Sequence, residues 1–204
     1  MSSSKVIFMN DVRLAWSDLF VKAEDGKDDK TGKVIPGKYG CTCIFDPKSE
    51  AGKLAQATFV EVAKGEFGPN FMAIIDAIDA KKKCIRNGNH KLDDDGNVVE
   101  GYKDMLYIAA KNQAKPKVVD QFLKDLTDDG TVYRGCYINL KVEISAYTSK
   151  IAEVGRCISA KVLAVQFARN GEAFGAAPPS ADGFAAASAP TLADMDASTA
   201  SLFG

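Results

Sequence analysis

Residues 136–147 alternate without a break. Ile138, Leu140, Val142, Ile144 and Ala146 fall on one phase, and Tyr137, Asn139, Lys141, Glu143, Ser145 and Tyr147 on the other. A period of two marks a strand with one face in the core and one in water. A second strand is expected over 156–169, where the phase slips near Leu163, as a β-bulge or strong coiling would make it do. Near the start, Val12, Leu14 and Trp16 alternate with Arg13, Ala15 and Ser17, and 38–45 reads as a further strand. Weaker strand signals lie at 107–111 and 118–122. The phases put Trp16 and Phe45 in the core.

One helical pattern interrupts these segments. Ala51, Leu54, Ala55, Thr58, Phe59 and Val62 form an apolar stripe that stops before Gly65, with Asp46 as the expected N-cap and Pro47 at the first helical position. A shorter helix is expected over 70–79. Short strands at irregular spacing around one inserted helix suit a mainly β fold, an OB-like Greek-key barrel, because curling a sheet onto itself removes exposed edges.

At 204 residues and 46% hydrophobic, the chain can fill one well-packed core but not two, so one domain over 1–175 is expected with an appendage. The remainder, 176–204, is mostly Ala, Ser, Pro, Asp and Gly and has no Lys or Arg, a composition that cannot offset its ordering entropy. It reads as a disordered acidic tail. Setting aside its Asp182, Asp194 and Asp196 leaves 26 basic against 24 acidic side chains, so a mildly positive body carries an acidic end. No run approaches the roughly 18 apolar residues of a membrane helix, and 1–5 is too short for a signal peptide. Five scattered cysteines, an odd number, suit reduced thiols in a cytoplasm better than a disulfide framework.

Catalytic patterns fail on spacing. Gly26 and Gly32 enclose five residues where a phosphate loop has four, and Val34 stands where a hydroxyl should hold magnesium. Asp93-Asp94-Asp95-Gly96 resembles a calcium loop, but Lys91 occupies the position of the first carboxylate ligand, which leaves a solvated turn. Cys41 and Cys43 share one face of a strand, yet His90 is the sole histidine and no second close cysteine pair completes a zinc site. That histidine sits in an expected exposed turn, with no partners for a Ser-His-Asp constellation. No enzyme, metal or cofactor is expected.

Positive charge is better organised. Lys81, Lys82, Lys83, Arg86 and Lys91 follow one another without an intervening acid, and Lys111, Lys115 and Lys117 form a second such cluster. Two cationic segments can track a phosphate backbone. The wet phase of 136–147 offers Tyr137, Lys141 and Tyr147, with Arg134 just before, and Tyr39 and Tyr107 are further candidates for stacking on bases.

Several words then occur in order: Arg13-Leu14-Ala15-Trp16-Ser17-Asp18-Leu19-Phe20, Lys38-Tyr39-Gly40, Ile44-Phe45-Asp46-Pro47-Lys48, Lys115-Pro116-Lys117-Val118-Val119-Asp120, Val132-Tyr133-Arg134-Gly135-Cys136-Tyr137-Ile138-Asn139 and Asn170-Gly171-Glu172-Ala173-Phe174-Gly175. Together they resemble a widespread family of phage single-stranded-DNA-binding proteins with an OB fold, similar in architecture to the helix-destabilising proteins of podophage replisomes. The resemblance covers 12–175. It implies sequence-tolerant binding of single-stranded DNA that protects replication and recombination intermediates, and it carries a DNA-binding role to Lys38, Arg134 and Tyr137. Where relatives have a Gly-rich turn and a Gly-Leu-Asn word, this chain has Gly155-Arg156-Cys157-Ile158-Ser159-Ala160-Lys161.

By analogy with such proteins, Asp194, Asp196, Leu202 and Phe203 form an acidic tip that recruits phage or host replication proteins, in the cytoplasm of an infected bacterium. Two other readings share these features: a strand-annealing recombination protein, and a virion or protein-interaction β-domain whose lysines serve only solubility.

Overall fold

The longest alternating run lies at the middle of the sheet. The computed structural model describes residues 3–27, 32, 34–128, 130–149 and 155–175. Among these, the strands are β1 (Ser3–Asp18), β2 (Gly26–Lys27), β3 (Val34–Ile35), β4 (Tyr39–Phe45), β5 (Ile85–Asn87), β6 (Leu106–Asn112), β7 (Lys117–Val119), β8 (Tyr137–Thr148) and β9 (Arg156–Arg169). Two α-helices, α1 (Glu50–Phe67) and α2 (Phe71–Ala77), come between β4 and β5. Seven strands form one sheet in the order β5-β6-β4-β1-β8-β9-β7, and β2 pairs with β3 in a separate ribbon. All pairings are antiparallel except β7 with β9. The expected tail, with Asp194, Asp196, Leu202 and Phe203, lies outside the described residues.

On β8 the alternation is realised except at Ser145, an outer-phase residue that is buried. Ile138, Leu140, Val142, Ile144 and Ala146 are fully buried, whereas Tyr137, Asn139, Lys141, Glu143 and Tyr147 are half-exposed. Each large aliphatic buried here contributes about 1.5–3 kcal/mol, and a one-residue slip would turn the whole set outward, so register is strongly specified. The phase slip on β9 is a bulge: Lys141 faces Ala164 and Val142 faces Val162, leaving Leu163 unpaired. β1 begins well before the run legible in the sequence. Its first half alternates Ile7 and Met9 inward with Val6 and Phe8 outward, and the apolar outer residues mask the period.

Some boundaries differ from expectation. The N-cap of α1 is Ser49, whose Oγ accepts from Gly52 N at 3.0 Å, while the Asp46 carboxylate accepts from Lys48 N at 2.7 Å in the preceding turn. The helix also runs through Gly65, because the exposed helical face there needs no side chain beside Ser3, and it ends at Gly68 with φ +70°. At 118–122 only the first part is strand. β7 stops at Val119, and Asp120 starts a tight turn whose tip is Phe122. β5, three residues long, carried no periodic signal.

The sheet curls but does not close. Its two ends meet at one parallel bridge, Lys83 to Ile158, where Cys84 N donates to Ile158 O at 2.8 Å. Nearby, Asn112 Nδ2 donates to Val162 O at 2.9 Å. The OB-like barrel of the sequence reading is therefore present with an open seam between β5–β6 and β9. No helix among the described residues is long and apolar enough to cross a membrane.

Opposite the seam, the segment after β9 folds back over the start of β8. The Tyr133 hydroxyl donates to Gly171 O at 2.9 Å and accepts from Gly171 N at 3.1 Å. Phe174 N donates to Arg134 O at 3.2 Å, and the Arg13 guanidinium lies 3.9 Å over the Phe174 ring while donating to Glu172 O at 2.8 Å. Gly135 sits at the centre with φ +106°, and a β carbon there would collide with the Glu172 carbonyl. Only glycine meets both conditions. Gly135→Ala should lower the unfolding free energy by about 2 kcal/mol or more, through backbone strain plus displacement of 171–174. Gly96→Ala, at φ +82° in open space, should cost about 1 kcal/mol. Urea titrations giving equal losses would remove the fold-back as a stability constraint.

Candidate nucleic-acid interface

The open seam is a groove of about 830 Å³ on the outer surface of the sheet. Lys38, Lys81, Lys82, Lys83, Arg86, Lys111 and Lys161 line it, with no acid among the lining residues. Cys84, Cys157, Ile158 and Ala160 make its buried floor, and Ser145, Ser159 and Tyr147 its wall. Lysines on strand edges have a bland purpose too, since charge on an edge discourages pairing with another chain. Seven cations with no acid among them nonetheless create a strongly positive strip that fits a polyanion.

Local structure explains how these cations converge. Asp79 Oδ1 accepts from Lys81 N at 2.6 Å and starts a single 3-10 turn, Ala80–Lys82. Arg86 then donates from Nε to Lys83 O at 2.8 Å and from Nη2 to Lys81 O at 3.1 Å. Arg86 is thus a brace for the lysine turn as well as a groove cation. Among the described residues, Lys38, Lys81, Lys83 and Lys111 form no ion pair, whereas Lys161 pairs with Glu143 at 3.3 Å.

Aromatic candidates separate. Tyr147 lies in the groove wall beside Ser159 and Cys157; burial, followed by the neighbouring Cys157, pushes its phenol pKa up. Tyr107 is 9% exposed, packed edge-on against Tyr102 at 5.2 Å and against Ile44, and so offers no free face. The sequence reading of Tyr107 as a stacking residue missed this second cluster, built from the irregular segment 98–105. Tyr137 shares the outer face of β8 with Tyr147, but ten residues of strand put them about 33 Å apart. Its ring lies 3.4 Å under the Arg169 guanidinium, which Asp11 holds by a bidentate pair at 2.8 Å. Lys141 sits over Phe8 at 5.2 Å, Arg134 is exposed in the fold-back, and Tyr39 is half-buried with Lys22 at 5.6 Å from its ring. Lys117 pairs with Asp125 at 3.2 Å, and Lys115 is exposed just before β7. The groove therefore unites Lys38, Lys81, Lys82, Lys83, Arg86, Lys111 and Tyr147, and leaves Tyr39, Tyr107, Lys115, Lys117, Arg134, Tyr137 and Lys141 elsewhere.

Trp16 was misread. It pairs with Thr42 after a bulge at Ala15, because Leu14 faces Cys43 and Trp16 faces Thr42. The extra residue turns Trp16 from the core to the outer face. A β carbon at Gly40 would lie 3.5 Å from Trp16 Cζ3 and 3.1 Å from Lys111 Cγ, so the indole stands beside a groove lysine. Nothing in the alternation of 12–17 signals this, because a small apolar residue in the bulge leaves the written pattern regular. Phe45 is buried as read.

Three comparisons relate the chain to known proteins. A family described as "Enterobacter phage Enc34, ssDNA-binding protein" matches residues 4–195. The chain is 38% identical over 174 residues to protein p50 of Acyrthosiphon pisum secondary endosymbiont phage 1, covering 82% of this chain and 85% of that one. Its fold is similar to the single-stranded DNA-binding protein of bacteriophage Enc34 in complex with single-stranded DNA, at TM-score 0.62 and 18% identity over 83% of this chain and 89% of that one. The same phage protein, without DNA in its description, matches at TM-score 0.60 and 16% identity over 87% and 88% of the two chains.

The floor of the groove is buried and apolar. Burial pushes the Cys84 thiol up to about 12, and burial with the nearby Tyr107 pushes Tyr102 up to about 12. The hydrogen bond with Cys41, then burial, raises Cys43 well above the ordinary thiol range. None of the five cysteines forms a disulfide, and all are buried. Groups with raised folded-state values contribute stability in full below their unfolded values, about 8.5 for thiols and 10 for tyrosines, and lose it as pH rises through the folded ones. The urea midpoint should stay level to about pH 8 and fall from about pH 9 upward, with a shallower fall in Cys84→Ala. A level midpoint to pH 11 would contradict this assignment of buried neutral thiols.

Proposed function

We propose a function from one premise: the chain belongs to the Enterobacter phage Enc34 single-stranded-DNA-binding protein family. It binds single-stranded DNA, and the acid-free groove along the open seam is the observation that carries the assignment of the site. Phosphates meet Lys38, Lys81, Lys83 and Lys111, with Lys82 and Lys161 at the margins, and each neutralised phosphate releases a counterion. Bases turn toward Tyr147 on one wall and Trp16 beyond Lys111 on the other. Any base offers a face to an aromatic ring, so binding tolerates sequence and favours single strands over duplex, whose bases are already stacked.

The reaction is coating, with no bond made or broken and no cofactor. Covering exposed strands removes hairpins and protects replication and recombination intermediates in the host cytoplasm. The acidic end supports a second step. Asp194 and Asp196 compete with phosphate for the same lysines, and coating the strand frees Leu202 and Phe203 to dock on replication proteins.

Polarisation of labelled oligo-dT should show strong salt-dependent binding and weak binding of duplex of equal length. The triple variant Lys38→Gln, Lys81→Gln, Lys111→Gln should reduce the slope of log K against log salt by about 2, at roughly 0.7 per phosphate contact. Trp16 emission should be quenched on binding. No binding at low salt would leave the seam as an edge protected by lysines and nothing more. Deleting residues 193–204 should tighten binding at low salt and leave it unchanged at high salt; equal affinity in both forms at low salt would end the competition model.

A further inference from the structure

The turn after β7 holds two large apolar side chains in water. Phe122 is 81% and Leu123 70% exposed, yet the turn that carries them is tightly bonded. Asp120 Oδ1 accepts from Phe122 N at 2.8 Å and Lys124 N at 2.9 Å, Asp120 N donates to Lys124 O at 2.9 Å, and Leu123 N donates to Asp120 O at 3.1 Å. Val119 bridges Asp125, and Leu126 N donates to Val118 O at 2.9 Å. Leu123 takes φ +67°, a strained position for a branched residue where glycine or asparagine would be free. A loop under no demand would carry polar residues there.

The turn lies in line with the groove. Outward positions of β9 run from Ser159 and Lys161, which line the groove, past Ala164 to Gln166. Gln166 accepts from Asn139 Nδ2 at 3.0 Å and donates to the Gln121 carbonyl of the turn at 3.4 Å. From Lys161 to Gln166 is about 15 Å of strand. At the 3.4 Å spacing of a stacked strand that is about four nucleotides. Lys141 stands opposite Ala164 along this line, Lys117 of β7 lies beside Ala164 on its other side, and Lys124 is in the turn at its end. The acids nearby are occupied: Glu143, beside Lys161 on the path, by that lysine at 3.3 Å, Asp120 by the backbone bonds above, Asp125 by Lys117 at 3.2 Å, and Asp128 by Gly130 N at 3.0 Å.

We propose that the single strand leaves the basic groove along the outer face of β8 and β9 and ends on Phe122, which stacks a base about four nucleotides beyond the groove, with Leu123 packed against it. This inference rests on the groove reading above. A rigid aromatic tip at the end of a cationic path has the chemistry of a base platform.

The test compares dT6, which fills only the groove, with dT20. The variant Phe122→Ala, Leu123→Gly keeps the turn, since glycine takes positive φ freely. Its affinity for dT20 should fall about tenfold, the lower end of one base–aromatic stack, while dT6 affinity and the salt slope stay at wild-type values. Unchanged dT20 affinity would overturn the proposal. Phe122→Trp in a Trp16→Phe background should show emission quenched by dT20 and not by dT6, and an unresponsive indole with dT20 bound would overturn it as well. Wild-type protein that binds neither oligonucleotide would instead defeat the groove reading on which the proposal stands.

Discussion

The two ends of the sheet touch through a single backbone bridge, with Cys84 N–H donating to Ile158 C=O, and then part. A full ladder between β5–β6 and β9 would have closed the barrel and removed its edges. Stopping at one bridge leaves two strand edges facing each other across a slot, which needs protection from other chains and is open to an extended ligand. Lysines answer both demands. Lys81, Lys83 and Lys111 put charge where a foreign strand would otherwise pair, and the same charge draws phosphate. The brace from Arg86 to the carbonyls of Lys81 and Lys83 makes the arrangement independent of ligand.

Bulges decide which chemistry the outer face presents. At Asn10–Asp11, two residues of β1 oppose Asn139, and Asp11 takes φ +54° with its carboxylate on Arg169. At Ala15 the phase of β1 reverses and Trp16 emerges; at Leu163 the phase of β9 shifts between the groove and the turn at Gln121. The Leu163 bulge was legible because its residue types record the slip. The Ala15 bulge was not, since Ala between Leu14 and Trp16 reads as an ordinary alternating position. A single small residue hid the protein's one tryptophan in the apparent core.

The words that carry the family resemblance turn out to describe the fold-back more than the groove. Tyr133, Gly135, Tyr137, Gly171 and Phe174 lock the end of β9 over the start of β8 by hydrogen bonds, close approach and cation–π contact. Such contacts constrain residue type tightly, which makes the words recognisable, while phosphate contacts accept any lysine in reach. Charge clustering accordingly points to Lys81, Lys82, Lys83, Arg86 and Lys111, which share the groove, whereas the motif residue Tyr137 lies about 33 Å down the strand from Tyr147 and Arg134 precedes that strand. Tyr107 failed for another reason: a segment without periodicity covers it, and pattern reading has no access to irregular chain.

The cations of the slot repel one another, Lys161 least because Glu143 pairs with it, so the groove places a cost on the rest of the domain. Salt relieves it. Counterions screen the repulsion in the free protein, and on the proposed reading phosphates replace those counterions in the complex, so salt stabilises the free groove while it weakens binding. The buried floor adds no charge to the slot: burial pushes the Cys84 thiol up to about 12. An open seam, a neutral floor and an Arg86 fixed by backbone carbonyls together give a surface that, on the proposed reading, suits phosphates and exposed base faces of any sequence.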